Sequence, residues 1–402
     1  MVDTSYNIAV VGAGAAGLSA ALAFARDGYK TVLIGGLDAR RDGRTVALLN
    51  GSVRFLEALG VWPSLVPEAA PLETMHIIDD TGSLFRPPPA SFSAGEIGLD
   101  AFGWNIENAT LVEKMAEAAQ SYENLALQPQ FATAFQAGPD HASITLADGS
   151  EIQASLVVAA DGRNSKLRQI AGIETQTWSY PQSAVTTILA HDRDHRETST
   201  EFHTRHGPFT LVPLPGKRSS LVWVTSQKQA DRLSKLDDAP LATEIERQAH
   251  SHLGAMRIDG PRGLVPMSGL SVSRYGVPRL ALVGEAAHVF PPIGAQGLNL
   301  GFRDVASLRD AVLDAFEEGQ EPGSAKTLQF YQRSRDLDVR LRTAAVDGLN
   351  RTLLTGMIPA DFLRGAGLLA LSHIGALRRI VMREGVLPRV GAPRLMQDTS
   401  LA

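Results

Sequence analysis

The sequence predicts an α/β fold: a Rossmann-like dinucleotide-binding domain with an inserted β-sheet domain and a helical C-terminal region. Three observations carry that expectation. The chain opens on strand, glycine turn, small-residue helix and strand in succession. Apolar strand-like runs followed by glycine turns return much later, at residues 156–160 and 280–283. The stretch between has β character, broken by Pro, Gly and charged turns.

The first element, Ile8–Val11, is an apolar run that reads as a buried strand. Gly12–Gly17 is the turn, Leu18–Arg26 the helix, and Thr31–Ile34 the strand that completes a βαβ unit. Gly12, Gly14 and Gly17 form G-x-G-x-x-G between strand and helix, where missing side chains let backbone N–H groups approach a pyrophosphate. Alone, the motif leaves NAD, FAD or a purely structural turn open. An acidic ribose ligand is expected at the end of the second strand, but Gly35-Gly36 stands there. Asp38, a little further on, either takes that role or is a solvated loop carboxylate.

The uncharged run Thr4–Ala25 also invites reading as a signal peptide or membrane span, yet the charge before it is the acidic Asp3 and its glycines fall in the turn pattern. Neither a signal peptide nor a transmembrane span is expected, which points to a cytoplasmic protein.

Leu156–Ala160 and Leu280–Val283 read as later strands of the same sheet, ending at Asp161-Gly162 and Gly284-Glu285. Thr74–Asp79, Ala142–Leu146, Ala184–Ala190, Phe209–Pro213 and Leu221–Thr225 read as strands of an inserted sheet. From Gly297 onward the pattern is helical. The expected division is a discontinuous nucleotide domain (1–70, 100–175 and 275–345), a substrate domain (71–99 and 176–274) and a helical tail (346–402). An inserted sheet covering a bound cofactor would create a cleft suited to a small molecule. Pro87-Pro88-Pro89 reads as a stiff loop.

Composition narrows the chemistry. With no cysteine, disulfides, thiolate metal sites and cysteine nucleophiles are excluded. A formal charge of −5 over 402 residues gives no global reason to bind nucleic acid. His191 and His195, spaced H-x-x-x-H, lack a third ligand cluster and read as a solvated turn; no metal is expected.

The later turns are more specific. One is Asp161-Gly162-Arg163-Asn164-Ser165-Lys166-Leu167-Arg168; the other is Gly284-Glu285-Ala286-Ala287-His288, followed by Pro292, Gln296-Gly297-Leu298-Asn299, Gly301 and Asp304. With Arg44 and Gly103-Trp104, this set resembles the class A aromatic-ring flavoprotein monooxygenases, especially the ubiquinone-biosynthesis flavin hydroxylases, over nearly the whole chain.

The resemblance implies a Rossmann-like FAD-binding domain in which Gly12, Gly14 and Gly17 receive the FAD pyrophosphate and Arg44 contacts FAD near its bend. Asp161 and Gly162 match a motif associated with both FAD and reduced nicotinamide. Gly284 and Glu285 stand at a turn that normally carries Asp against the FAD ribitol or ribose. Here Glu adds a methylene. Pro292, Gly297, Leu298 and Asn299 lead into a helix whose N-terminal donors and dipole can stabilise negative charge on reduced flavin. The usual G-Q-G is altered to Ala295-Gln296-Gly297. His288 is expected to orient the cofactor loop.

The implied activity is hydroxylation of an aromatic ring with NADH or NADPH and O2, the substrate being a polyprenyl phenol of ubiquinone biosynthesis. A hydroxylase of a small soluble phenol or benzoate, and a non-catalytic flavoprotein-like assembly subunit, are the alternatives. A second G-x-G-x-x-G unit for a tightly held nicotinamide is absent from the sequence. No catalytic base can be named.

Residues 340–402 carry nine Arg and no Lys against four acids, a net +5 that leaves −10 for the rest of the chain. With the apolar segment Asp361–Arg383, this suggests peripheral contact with the inner membrane or with other ubiquinone-biosynthesis proteins, or else a helical cover packed on the protein.

Overall fold

In the computed structural model, the described residues are 5–37, 41–82, 88–291, 296–336, 338–339, 375, 378–379, 382–383 and 392–397. Asp38, Pro87, Pro292, Gly294, Ala295 and most of the tail from 340 onward, including most of Asp361–Arg383, lie outside them.

The apolar run at the N-terminus is buried because it has neighbours on both edges. Strand Ser5–Val11 lies parallel to Thr31–Ile34 on one side and to Glu151–Ala159 on the other. Val11 is level with both Ile34 and Ala159, and Ala159 in turn is level with Leu282 of the parallel strand Leu280–Leu282. Four carboxyl ends therefore finish side by side, which brings together turns distant in sequence. Leu125–Gln128 extends the parallel set beyond Thr31–Ile34.

Helix Ala15–Arg26 uses small side chains to lie close on this sheet; Ala20 to Ala23 and Phe24 are fully buried. It packs against helices Asn108–Ala119 and Gln296–Glu317. Residues 325–336 are also helical.

A nine-stranded sheet is built from Thr74–Asp79, Ala90–Ser93 and strands between Thr175 and Val272. His288–Val289 joins it, with His288 opposite Ser271, although it comes from the segment expected with the nucleotide domain. One face, bearing Phe202, Phe209, Leu211, Leu221 and Trp223, is covered by helices Gln227–Ser234 and Asp238–Gln248. A three-stranded sheet of Thr45–Leu49, Gly103–Glu107 and Ala70–Pro71 touches the opposite face, through Thr45 Oγ1 and Asn105 Nδ2 on Ser220 Oγ.

Ala142–Leu146 is a strand, as expected, but it belongs to the first sheet, antiparallel to Glu151–Ala159 with Ile144 opposite Ile152. Period-two alternation identifies a half-buried strand without saying which sheet receives it, and the short turn before Glu151 keeps the hairpin partner local. Among the described residues, no helix is long and apolar enough to cross a membrane.

Candidate active site

The first glycine turn separates two demands. Gly12 has φ +111°, and a Cβ there would lie 2.2 Å from Ala160 O; one at Gly17 would lie 1.7 Å from Gly12 O. Both glycines are therefore required by backbone contact. A Cβ at Gly14 would meet nothing within 4 Å. Gly14 is the N-cap of helix Ala15–Arg26 and supplies no side-chain cap, so no capping side chain takes the first-turn N–H groups at the positive end of the helix.

The missing acidic residue after the second strand has a local cause. Gly35, at φ +154°, passes so close to the first turn that a Cβ would be 2.8 Å from Ala13 N. A side chain is not accommodated at that position.

The second turn starts where Ala160 N donates to Val11 O at 2.8 Å. Asp161 Oδ2 accepts from Leu167 N at 3.3 Å, while Oδ1 is buried with no hydrogen-bond partner among the described residues. Gly162 takes φ +83° with open space around it. Ser165 caps the helix Lys166–Ile170 by accepting from Arg168 N at 3.0 Å. The buried Arg168 guanidinium donates to Arg163 O and to Ala286 O, both at 2.8 Å, and so joins the second turn to the third.

At the third turn, Gly284 has φ +60° and a Cβ would be 3.1 Å from Ala16 Cβ; a Cβ at Gly301 would be 3.3 Å from Gly284 Cα. First turn, third turn and long helix thus meet through small residues. Glu285 is exposed at the rim. Asp304 is fully buried beneath: Oδ2 accepts from Gly284 N at 2.9 Å and contacts His288 Nε2 at 2.6 Å, and Oδ1 accepts from Arg335 Nε at 2.8 Å. Burial pushes the Asp304 carboxyl up, but His288, Arg335 and the Gly284 N–H outweigh it, and the net direction is down. Arg335 continues to Asp338 at 2.7 Å, which also receives Arg303 at 2.9 Å.

Helix Gln296–Glu317 begins where expected. Gly297 is exposed with free space at its Cα, and Leu298 packs on the core. The Asn299 side chain is engaged by the protein: Oδ1 accepts from Leu49 N at 2.9 Å and Ser52 Oγ at 2.6 Å, and Nδ2 donates to Ala47 O at 2.8 Å. It fixes the helix start against strand Thr45–Leu49. Arg44, just before that strand, is largely exposed and pairs with Asp42 at 2.8 Å.

The structure thus brings Gly12, Gly14, Gly17, Asp161, Gly162, Gly284 and Glu285 to one edge of the sheet. The unpartnered Asp161 Oδ1, the uncapped helix N-terminus at Gly14 and the close Gly284–Gly301 contact fit an elongated dinucleotide.

Sequence reasoning did not reach Arg335. It lies in Arg333-Ser334-Arg335-Asp336, and nothing in that polar run distinguishes a fully buried arginine from its exposed neighbours. His191 and His195 do not form a solvated turn. Both are buried, with His191 on Arg193 O (2.7 Å) and Ser219 Oγ (3.0 Å), and His195 on Leu214 O (3.0 Å). His191 ends strand Thr175–His191 and His195 lies in the loop after it, and their hydrogen bonds to Ser219 and Leu214 turn both rings inward.

Residues 5–341 match a family described as "FAD binding domain". The chain is 34% identical to "Ubiquinone hydroxylase UbiL" of Rhodospirillum rubrum, over 99% of this chain and 94% of that protein. It is 30% identical to "3-demethoxyubiquinol 3-hydroxylase" of Escherichia coli, over 95% and 99%. Among solved structures, p-nitrophenol 4-monooxygenase PnpA of Pseudomonas putida superposes with a TM-score of 0.79 over 96% of this chain and 100% of that one, at 17% identity.

Proposed function

The chain belongs to the FAD-binding-domain family of flavin monooxygenases, and from that premise we propose that it hydroxylates the aromatic ring of a prenylated phenol in ubiquinone biosynthesis. It is an FAD-dependent enzyme that takes electrons from NADH or NADPH and one oxygen atom from O2. FAD, when bound, supplies the reduction of O2 and delivery of that atom to the ring.

Toward that group each residue has a task. The N–H groups behind Gly14 meet the pyrophosphate, with Gly12 and Gly17 allowing the approach. Asp161 Oδ1 would accept from the cofactor, Glu285 would reach a ribitol or ribose hydroxyl, and the backbone of Gly297, Leu298 and Asn299 would supply donors to the flavin. Arg44 would contact FAD near its bend, and Gly162 would leave room for the nicotinamide donor. Arg168, Asn299 and Asp304 hold these parts in place.

The face of the nine-stranded sheet away from its two covering helices carries Ala184, Val224 and Met267, with Tyr180, Val222 and Val265 packed beside them. An apolar wall suits an arene with a prenyl chain and keeps water away from the reacting centre. The basic tail supports delivery of such a substrate from the inner-membrane surface.

The observation that carries this reading is the level ending of four parallel strands, which sets the three motif turns at one site. It is tested by comparing hydroxylated quinones with accumulated precursors in cells that lack the chain and in cells to which it is restored. A precursor short of one ring hydroxyl should accumulate and disappear on restoration; unchanged quinones in the deletion would overturn the reading.

A further inference from the structure

One cluster of titratable groups lies on the inner face of the nine-stranded sheet. Residues paired across adjacent strands point to the same side. By register, Ile77, Glu201, Thr210, Val222 and Thr186 form one row across five strands. His203, two residues beyond Glu201, stands in the next row. Val212 and Ser220 form the row on the other side, and Ser220 is the residue touched by Thr45 and Asn105. The opposite face is filled by Phe202, Phe209, Leu221 and Trp223 under their helices. Glu201 and His203 therefore share the face that carries Ser220 and meets strand Thr45–Leu49, the strand that Asn299 holds against the long helix.

The two are a hydrogen-bonded pair: His203 Nε2 lies 2.7 Å from Glu201 Oε1, and Thr210 Oγ1 donates to Glu201 Oε2 at 3.3 Å. Burial pushes the Glu201 carboxyl up, but His203 and Thr210 outweigh it and the net direction is down, toward the ionised form. An ionised carboxylate only accepts, so the nitrogen facing Glu201 is the one that donates, and the neutral form of His203 has its lone pair at Nδ1. His203 is 8% exposed, and Nδ1 is buried with no partner among the described residues. Thr186 Oγ1, in the same row as Glu201, is likewise buried without one. The nearest carboxylate on the neighbouring strand, Asp79 opposite His203, is taken up by Thr81 at 2.6 Å.

We propose that His203 is the base that accepts the ring-hydroxyl proton of the substrate, with Glu201 as its positioning residue. This rests on the reading of the protein as a phenol hydroxylase. The substrate O–H bond breaks, the proton forms an N–H bond at Nδ1, and the electron pair stays on the phenolic oxygen, enriching the ring for attack on oxygen. The imidazolium is held against the Glu201 carboxylate. Glu201 keeps 28% of its side-chain surface open, a way out for the proton after turnover.

The test uses flavin-loaded enzyme with two probes, para-nitrophenol for binding and ortho-farnesylphenol for turnover. Wild type should bind para-nitrophenol as its coloured phenolate at a pH where the free probe is mostly protonated. His203→Phe and His203→Gln should bind it uncoloured and lose roughly a hundredfold in hydroxylation, with flavin content unchanged and nicotinamide consumption uncoupled from product. Glu201→Gln should lose about tenfold, and Glu201→Asp should recover part of it. Variants of His203 that keep both the phenolate band and wild-type hydroxylation overturn the base alone, as does a wild type that turns over without the band. A wild type that neither binds nor hydroxylates either phenol overturns the hydroxylase reading as well.

Discussion

Asp304 and His288 sit 2.6 Å apart with essentially no solvent exposure, and the same Asp304 oxygen also takes the Gly284 N–H at 2.9 Å. One carboxylate in the long helix thus fixes both ends of the third glycine turn, while its other oxygen is held by Arg335.

Replacing Asp304 by Asn should destabilise the protein by about 3 kcal/mol, because the buried Arg335 guanidinium keeps only Asp338 as counter-charge and His288 loses its carboxylate partner. Chemical denaturation measures this; a loss under about 1 kcal/mol would show the network to be dispensable. The Asp304 carboxyl is held below its ordinary value when folded. Its contribution is therefore present above the unfolded pKa of about 3.9 and fades as pH falls through the folded value. Wild type should lose stability more steeply than Asp304→Asn below about pH 4.

The two kinds of glycine in the first turn separate on mutation. Gly12→Ala or Gly17→Ala should cost about 3 kcal/mol or more, since the new methyl meets backbone oxygen and neither turn can give way. Gly14→Ala should leave unfolding within about 0.5 kcal/mol of wild type yet weaken FAD binding, measured by flavin fluorescence on titration. Equal loss of stability at all three positions would contradict this division.

Arg168 spans two carbonyls that Lys cannot reach together, so Arg168→Lys should behave nearly as Arg168→Met does. Both should release FAD faster and lose roughly 1.5–3 kcal/mol of stability. FAD release is read by stopped-flow fluorescence; a Lys variant equal to wild type would show that the bridge between the second and third turns does not hold the cofactor.

Glu285 is exposed and stands at the rim, so Glu285→Ala should leave the melting temperature of the flavin-free protein unchanged while lowering FAD affinity. Glu285→Asp tests the reach of the extra methylene. Affinities identical across all three forms would remove Glu285 from the cofactor site.

What the sequence made legible was local. Thr31–Ile34 and Thr74–Asp79 have the bounds expected of them, because apolar periodicity and flanking turns are encoded within a few residues. The three motif turns were legible for the same reason. Arg335 was not, since its meaning depends on a partner 31 residues away in another helix. Glu201 and His203 were equally silent: adjacent-but-one polar residues in a strand read as a solvated face until the sheet register assigns them to the inner side. Ala142–Leu146 showed the limit from the other direction, a strand recognised and given to the wrong sheet.

The central claim is that a flavin held where these turns meet puts one atom of dioxygen on an arene. The most direct measurement supplies isotopically labelled O2 to flavin-loaded enzyme with reduced nicotinamide and ortho-farnesylphenol, and weighs the product. A single labelled oxygen on the ring, formed in proportion to nicotinamide consumed, is the predicted result; oxygen drawn from water, or labelled O2 consumed only to peroxide, would contradict it.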